Sequence, residues 1–136
     1  MGEDMFSTIK EFIHPRPAAF YMSRNQWFYL PKLDVYLVAG FGVVNFEMAS
    51  VLKISNISMI KEEDIGKGYF KPVILEIEKE AQLAGYDFVT VENTAADFAL
   101  MLKKNGYALA KPEGIYDAFG VQLAKPLQPS GSATKR

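Results

Sequence analysis

The sequence lacks cysteine altogether and contains one histidine, His14, among its 136 residues. Without cysteine there can be no disulfide scaffold, no thiolate metal site and no cysteine nucleophile. A single histidine cannot build a histidine metal site, and His14 precedes a proline where a helix is expected to stop. We therefore interpret His14 as structural and predict no metal site.

Two further features are missing. No apolar run approaches the length of a membrane span, and the N-terminus lacks the apolar core of a signal peptide. The net charge of −1 gives no support for a nucleic-acid partner. We expect a soluble, cytoplasmic protein that binds neither nucleic acid nor membrane.

What is present is ordinary globular composition, with 49% hydrophobic and 23% charged residues. A chain of this length suits one domain around one core. We assign that domain to residues 1–127. Residues 128–136 include proline, serine, glycine and lysine and have no apolar face. This composition predicts a disordered tail.

Hydrophobic periodicity predicts mixed α/β structure. Helical spacing appears before His14, from Phe70 to Ala84, and again up to Lys104. We interpret Trp27-Phe28-Tyr29 as part of an extended piece, and we expect the aromatic group Phe20, Tyr21, Trp27, Phe28 and Tyr29 to be core rather than a substrate-binding group. The predicted strands are 35–39, 43–46, 51–60, 86–91, 107–110 and 118–125, the first two joined by a turn at Gly40-Phe41-Gly42.

The strand from Val51 to Ile60 changes its apolar phase. Leu52 and Ile54 alternate on one face, but the alternation then restarts one residue late, at Ile57 and Met59. A strand cannot change the face it buries without an extra residue. The pattern predicts a β-bulge near Ser55 to Ile57.

A glycine turn, Ile65-Gly66-Lys67-Gly68-Tyr69-Phe70, leads into the second helix. Such a turn presents free backbone N–H groups at a helix N-terminus, where the peptide dipoles favour an anion such as pyrophosphate. Lys67 fits either a facing phosphate or plain solvent exposure. The acidic run Glu62-Glu63-Asp64 before the turn is expected to be solvent-exposed.

The order of strand, glycine turn, helix, strand, helix and two strands resembles the GNAT family of N-acetyltransferases. Gly66-Lys67-Gly68, the small residues Ala81 and Gly85, and Gly106-Tyr107 are similar to the family's pattern. Small phage-type GNAT-like proteins are the most similar group. The resemblance implies a mixed, mostly antiparallel sheet with helices on both faces and a bulged central strand.

The resemblance also implies acetyl-CoA as cofactor. Its pyrophosphate would lie on Ile65, Gly66, Lys67, Gly68, Tyr69 and Phe70, and its pantetheine arm on Ser58, Met59 and Ile60. The sequence departs from the family at Ile65, where a polar residue is usual, and at Phe70, where a small one is usual. Leu102 stands where many members have a tyrosine that protonates the leaving thiolate.

Glu92 closes the strand 86–91, where some members of the family have a catalytic glutamate. A carboxylate there could take a proton from an ammonium substrate, or could instead complement the dipole of the next helix. The function implied is acetyl transfer to a primary amine of a small molecule or protein. The alternative is an inactive GNAT-like binding or assembly protein, a homo-oligomer or a component of a phage virion, which Ile65, Phe70 and Leu102 favour.

Overall fold

The computed structural model describes residues 2–19, 21–64, 66–92, 96–109 and 123–127. Three α-helices and six strands make up these segments, with one turn of 3-10 helix at Glu62–Asp64. In chain order they are α1 Gly2–Ile13, β1 Arg24–Tyr29, β2 Leu33–Val44, β3 Glu47–Met59, α2 Phe70–Ala84, β4 Phe88–Val91, α3 Ala96–Lys104, β5 Ala108–Leu109 and β6 Leu123–Pro126.

The six strands form one sheet in the order β1-β2-β3-β4-β6-β5. β3 and β4 are parallel, and they are joined by α2 as a crossover helix. The remaining described pairs are antiparallel. This confirms the predicted α/β class with a mixed, mostly antiparallel sheet.

The predicted β-bulge is confirmed in β3. Tyr36 of β2 pairs with Asn56, but its neighbour Leu37 pairs with Ile54, so Ser55 has no partner. One extra residue on β3 therefore restores the apolar phase on its far side, as the sequence required. The bulged strand is the third of six and lies inside the sheet.

The predicted turn at Gly40-Phe41-Gly42 is wrong, because β2 runs through it to Val44. The hairpin turns instead at Asn45 and Phe46, with φ of 52° and 71°. Two consecutive positive φ angles match the twist of the flanking strands. Gly40 serves another purpose: an added Cβ would lie 3.1 Å from the Cβ of Ser23. Close backbone approach explains this glycine better than a turn does.

One hydrophobic cluster joins the three helices to the sheet. The strands contribute alternate residues to it, and we call the side they occupy the core face. The cluster includes Phe12 of α1, Ile77 of α2 and Leu102 of α3. On the sheet, the core face is formed by Leu33, Val35, Leu37, Ala39, Leu52, Ile54, Val89, Val91 and Leu123.

The opposite side of the sheet, the second face, carries the residues between these. They include Tyr36, Lys53 and Thr90, and a small cluster of Val44, Val51 and Ala124 with Phe88 packed against it. The alternation of side chains in a strand means that each residue serves one face only. A ligand on the second face would thus meet a different set of side chains from those that form the core.

Helix ends follow the predicted signals. Gly85 adopts φ 93° after α2, and its N–H donates to the carbonyl oxygens of Ala81 and Gln82. α1 ends at Ile13, whose carbonyl accepts a 2.7 Å hydrogen bond from the Tyr86 hydroxyl. His14 then contacts Glu80 of α2 at 2.7 Å, which ties the end of α1 to the neighbouring helix. These contacts join the end of α1 to α2 and to the segment that leads into β4.

Candidate functional site

The central opening of the sheet lies between β3 and β4. These strands pair from Val51 to Ile54, and the last backbone contact is the Glu92 N–H donating to the Ile54 carbonyl at 3.2 Å. β3 continues to Met59, paired with β2 on its other side. Beyond Ile54, no described strand pairs with the β3 edge that faces β4. Backbone groups along that edge can therefore take an extended ligand.

The glycine turn beside this opening is shaped for close approach. Gly66 and Gly68 adopt φ of 86° and 84°, which side chains of L-residues rarely tolerate. At both positions, a Cβ added to the glycine would meet no atom within 4 Å. The space in front of the turn is consequently open, and its backbone is exposed.

Helix α2 begins directly after the turn without a side-chain cap. Tyr69 is its N-cap residue and makes no side-chain hydrogen bond to the helix, and the first turn holds no acidic residue. The first N–H groups of a helix have no intrahelical partner. The N-terminus of α2 therefore offers donors and a positive dipole end to an anion.

Asp64 organises the charges around the turn. It is 5% exposed, which contradicts the expectation of a solvent-exposed acidic run at this residue. Its carboxylate lies 3.8 Å from the Lys32 ammonium and 3.9 Å from that of Lys67. Lys32 comes from the distant β1–β2 connection, so sequence order alone could not reveal this contact. The pair of lysines brings two positive charges next to the glycine turn.

Phe70 does not project into the open space at the glycines. Its ring lies 4.9 Å from the ring of Phe98 in α3 and packs against the core cluster. A large residue at the start of α2 is thus accommodated between the two helices. Ile65, the other departure from the family pattern, lies outside the described residues.

The three residues predicted to hold the pantetheine arm follow the bulge. Ser58 and Ile60 are exposed, whereas Met59 is half-buried against the core cluster. The Ile60 N–H is already used, since it donates to the Lys32 carbonyl at 3.1 Å. Ser58, two residues before Ile60 and paired with Asp34, likewise directs its backbone groups toward β2, so Met59 is the better candidate for a backbone contact to a ligand.

Glu92 lies at the point where β3 and β4 separate. Its carboxylate is 3.0 Å from the Lys53 ammonium and accepts a long, 3.5 Å hydrogen bond from the Ser55 hydroxyl. The Glu92 side chain is 25% exposed. Lys53 and Ser55 place it on the second face. Sequence reasoning missed both partners, because the contacts depend on the register between β3 and β4.

Leu102 and Tyr107, at and just after the end of α3, both belong to the interior. Leu102 is fully buried in the core cluster. The Tyr107 hydroxyl donates to the Glu78 carboxylate at 2.7 Å, and Lys125 donates to the same carboxylate at 2.9 Å. Burial, reinforced by Glu78, raises the pKa of Tyr107 well above its usual range. A phenol held in this way suits a structural role.

In the described part of the chain, the histidine, aspartate and glutamate residues form no group that could hold a metal ion. Among the helices described, none is long and apolar enough to cross a membrane.

No protein-family model and no curated protein matches the sequence. Solved structures are similar in fold. A KacTA–DNA complex aligns with a TM-score of 0.54 at 12% identity, covering 92% of this chain and 80% of that one. A Bacillus subtilis acetyltransferase in complex with CoA gives 0.44 at 20% identity over 74% and 80%. The Escherichia coli ribosomal-protein-S18-alanine N-acetyltransferase gives 0.45 at 14% identity over 98% and 92%.

These likenesses concern the fold. Identities of this size say nothing about activity, and TM-scores below 0.5 give the two acetyltransferase alignments no weight. The KacTA–DNA alignment exceeds that score over most of both chains. The chain therefore shares its overall fold with a solved protein of that complex.

Proposed function

We propose that this protein is an acetyl-CoA-dependent N-acetyltransferase that acts on a primary amine. The observation that carries the proposal is the junction of two features at one place. The unpaired edge of β3 beyond Ile54 ends beside an uncapped helix whose glycine turn faces open space. An extended ligand with a diphosphate at one end fits both features together.

The residues present suit the cofactor's parts. Backbone N–H groups of Gly66, Gly68, Tyr69 and Phe70 would hold the pyrophosphate, helped by the charge of Lys67, whose own N–H donates to the Asp64 carbonyl at 3.2 Å. Met59 on β3 would pair with the pantetheine arm through its backbone, and Ser58 beside it would contact the arm through its side chain. Acetyl-CoA would supply an acetyl thioester, whose carbonyl carbon bonds to the amine nitrogen while the CoA sulfur leaves as a thiol.

Glu92 would take the proton from the ammonium form of the acceptor, directly or through water. Lys53, 3.0 Å away, fixes the orientation of this carboxylate. Ser55 holds the same oxygen from the bulge. Most of the rate enhancement would come from positioning the amine at the opening between β3 and β4.

The proposal includes no nucleic-acid partner, since a net charge of −1 provides no surplus of cations to contact phosphates. The DNA named for the KacTA complex belongs to that assembly. A phage-particle role rests on no structural observation and is not part of the proposal.

The test is release of free thiol from acetyl-CoA in the presence of primary amines, for the parent and for Glu92→Gln. We expect the variant to lose about 10²–10⁴-fold in turnover, the usual worth of a general base, with little change in cofactor affinity. Glu47→Gln, at the far end of β3, is the matched control. Turnover of Glu92→Gln within a few-fold of the parent would make Glu92 structural. A parent that binds acetyl-CoA but transfers nothing would instead favour an inactive binding protein.

A further inference from the structure

An aromatic cluster lies on the second face, formed by Trp27 and Tyr29 of β1 and Tyr36 of β2. The Trp27 ring centroid is 4.9 Å from that of Tyr36 and 6.2 Å from that of Tyr29, with the Trp27 and Tyr29 planes 8° apart. Trp27 and Tyr29 are 41% and 62% exposed, whereas Phe28 between them is buried in the core. The interpretation of the aromatic group as core is therefore wrong for Tyr21, Trp27 and Tyr29, which are exposed, and right for Phe28; Phe20 lies outside the described residues.

Strand register aligns this cluster with the candidate base. Trp27 pairs with Tyr36, and Tyr36 pairs with Asn56, which is exposed. Asn56 adjoins the bulge residue Ser55, which contacts Glu92. One row across the second face thus runs from the aromatic rings to the carboxylate. It crosses three strand spacings, about 14 Å in all.

The charges along this row favour a cation. Asp34 pairs with Tyr29 and lies on the same face of β2 as Tyr36, and it has no ion-pair partner among the described residues. Lys53, the lysine that contacts Glu92, is already engaged in that ion pair. Electron-rich ring faces attract an ammonium group, most strongly on tryptophan. Because Lys53 already supplies the positive charge at Glu92, the aromatic end beside Asp34 is the part of the row that favours an added ammonium group.

We propose that the acceptor is a linear diamine or oligoamine. Its reacting amine would lie at Glu92, and a second ammonium group would lie on the aromatic cluster beside Asp34. This inference rests on the proposed function for the reacting end, but binding at the aromatic end needs no chemistry. Methylene groups between the two charges would cross Tyr36 and Asn56.

Trp27 makes the aromatic end directly observable, because it is the chain's one tryptophan. Its indole N–H gives a single resonance in heteronuclear NMR, which we would follow during titration with spermidine. We expect a saturable shift, with spermidine binding at least about ten-fold more tightly than butylamine, which has one charge. A neutral diol of the same chain length should not compete.

Variants test the residues that form this end. Asp34→Asn and Tyr36→Leu should each weaken spermidine binding by about 3–10-fold, judged from the size of single cation–π and exposed charge contacts. Asp34→Asn is a surface change that leaves the rings in place, so it remains informative if Tyr36→Leu unfolds. Phe46→Leu is the control, since it removes an exposed ring at the distant β2–β3 turn.

The outcomes separate this inference from the proposed function. An indole resonance that spermidine does not move, or that butylamine and the diol move equally, would overturn the oligoamine assignment even if acetyl-CoA binds. A spermidine-specific shift without acetyl-CoA binding would support the amine site while the transferase proposal fails. Where transfer occurs, Asp34→Asn should raise KM for spermidine but not for butylamine, with kcat nearly unchanged for both.

Discussion

The carboxylate of Glu92 accepts a hydrogen bond from the hydroxyl of Ser55, the residue that the β3 bulge leaves without a partner on β2. The irregularity that precedes the opening of the sheet also contributes a contact to the candidate base. Lys53, two residues before Ser55 on the same strand, holds the same carboxylate oxygen at 3.0 Å. One bulged strand thus shapes both the cofactor edge and the acceptor side of the site.

Charge at Gly68 should decide cofactor binding. We expect both Gly68→Glu and Gly68→Lys to lose about 1–2 kcal/mol of stability, because each places a side chain at φ 84°. Only the glutamate adds a negative charge where the pyrophosphate would lie. Acetyl-CoA should therefore raise the melting temperature of the parent and, in part, of the lysine variant, but not of the glutamate variant. If acetyl-CoA changed the melting temperatures of the two variants equally, the pyrophosphate would not bind at the glycine turn.

Glu80 should make the fold sensitive to acid. Burial opposes its ionisation, but the hydrogen bond with His14 and the nearby charges outweigh burial, so the pKa of Glu80 lies below its usual value of 4.5. Its ionised form is favoured in the fold. The stabilisation is therefore present above pH 4.5 and is lost as the pH falls through the lowered pKa.

The measurement is the melting temperature between about pH 6 and pH 3 for the parent and Glu80→Gln. The variant should be less stable near neutrality and should lose less stability on acidification. Glu76→Gln, on the same helix but more exposed, serves as control. Parallel curves for the parent and Glu80→Gln would show that this carboxylate is not linked to acid unfolding.

Thr90 should tolerate loss of its hydroxyl. The residue is 2% exposed, and its Oγ1 has no hydrogen-bonding partner among the described residues. Thr90→Val keeps the shape and removes the unsatisfied group, so the free energy of unfolding should stay equal or rise by about 1 kcal/mol. Thr90→Ala, which also removes packing, should be destabilising. Denaturant unfolding of both variants checks this prediction. A clear loss of unfolding free energy in Thr90→Val would mean that the hydroxyl has a hydrogen-bonding partner.

The segment after Leu127 should be dispensable for folding. Residues 128–136 lie outside the described part of the chain, and their composition provides too little apolar surface to offset ordering. Truncation after Leu127 should leave the melting temperature almost unchanged. Truncation after Ala124 should lower it, because Lys125 donates to Glu78 and the Leu127 N–H donates to Asp87. A marked loss from the shorter deletion would contradict the tail assignment.

Local rules predicted the parts of the fold that depend on neighbouring residues. The bulge at Ser55 followed from apolar phase, and α2 followed from periodicity and its terminal Gly85. The hairpin was misplaced because Gly40 resembles a turn residue, although its role is to admit the close approach of Ser23. The contact between Gly40 and Ser23 is a tertiary contact, so the residues next to Gly40 in the sequence do not indicate it.

The geometry of the glycine turn was predictable from the sequence, whereas the surroundings of Glu92 were not. Gly66 and Gly68 stand out because positive φ demands glycine. By contrast, the Glu92–Lys53 pair requires the parallel register of β3 and β4. Asp64 is buried beside Lys32, which comes from a distant part of the chain. Trp27 is exposed because the opposite face of β1, which carries Phe28, packs against the core. Each of these follows from strand pairing across long sequence distances.

Calorimetric titration with acetyl-CoA tests the central claim most directly, because the opening between β3 and β4 and the glycine turn are proposed to hold this cofactor. The account predicts saturable binding of one acetyl-CoA per chain, which Gly68→Glu abolishes while the fold is retained. Absence of binding by the parent at millimolar acetyl-CoA would contradict it.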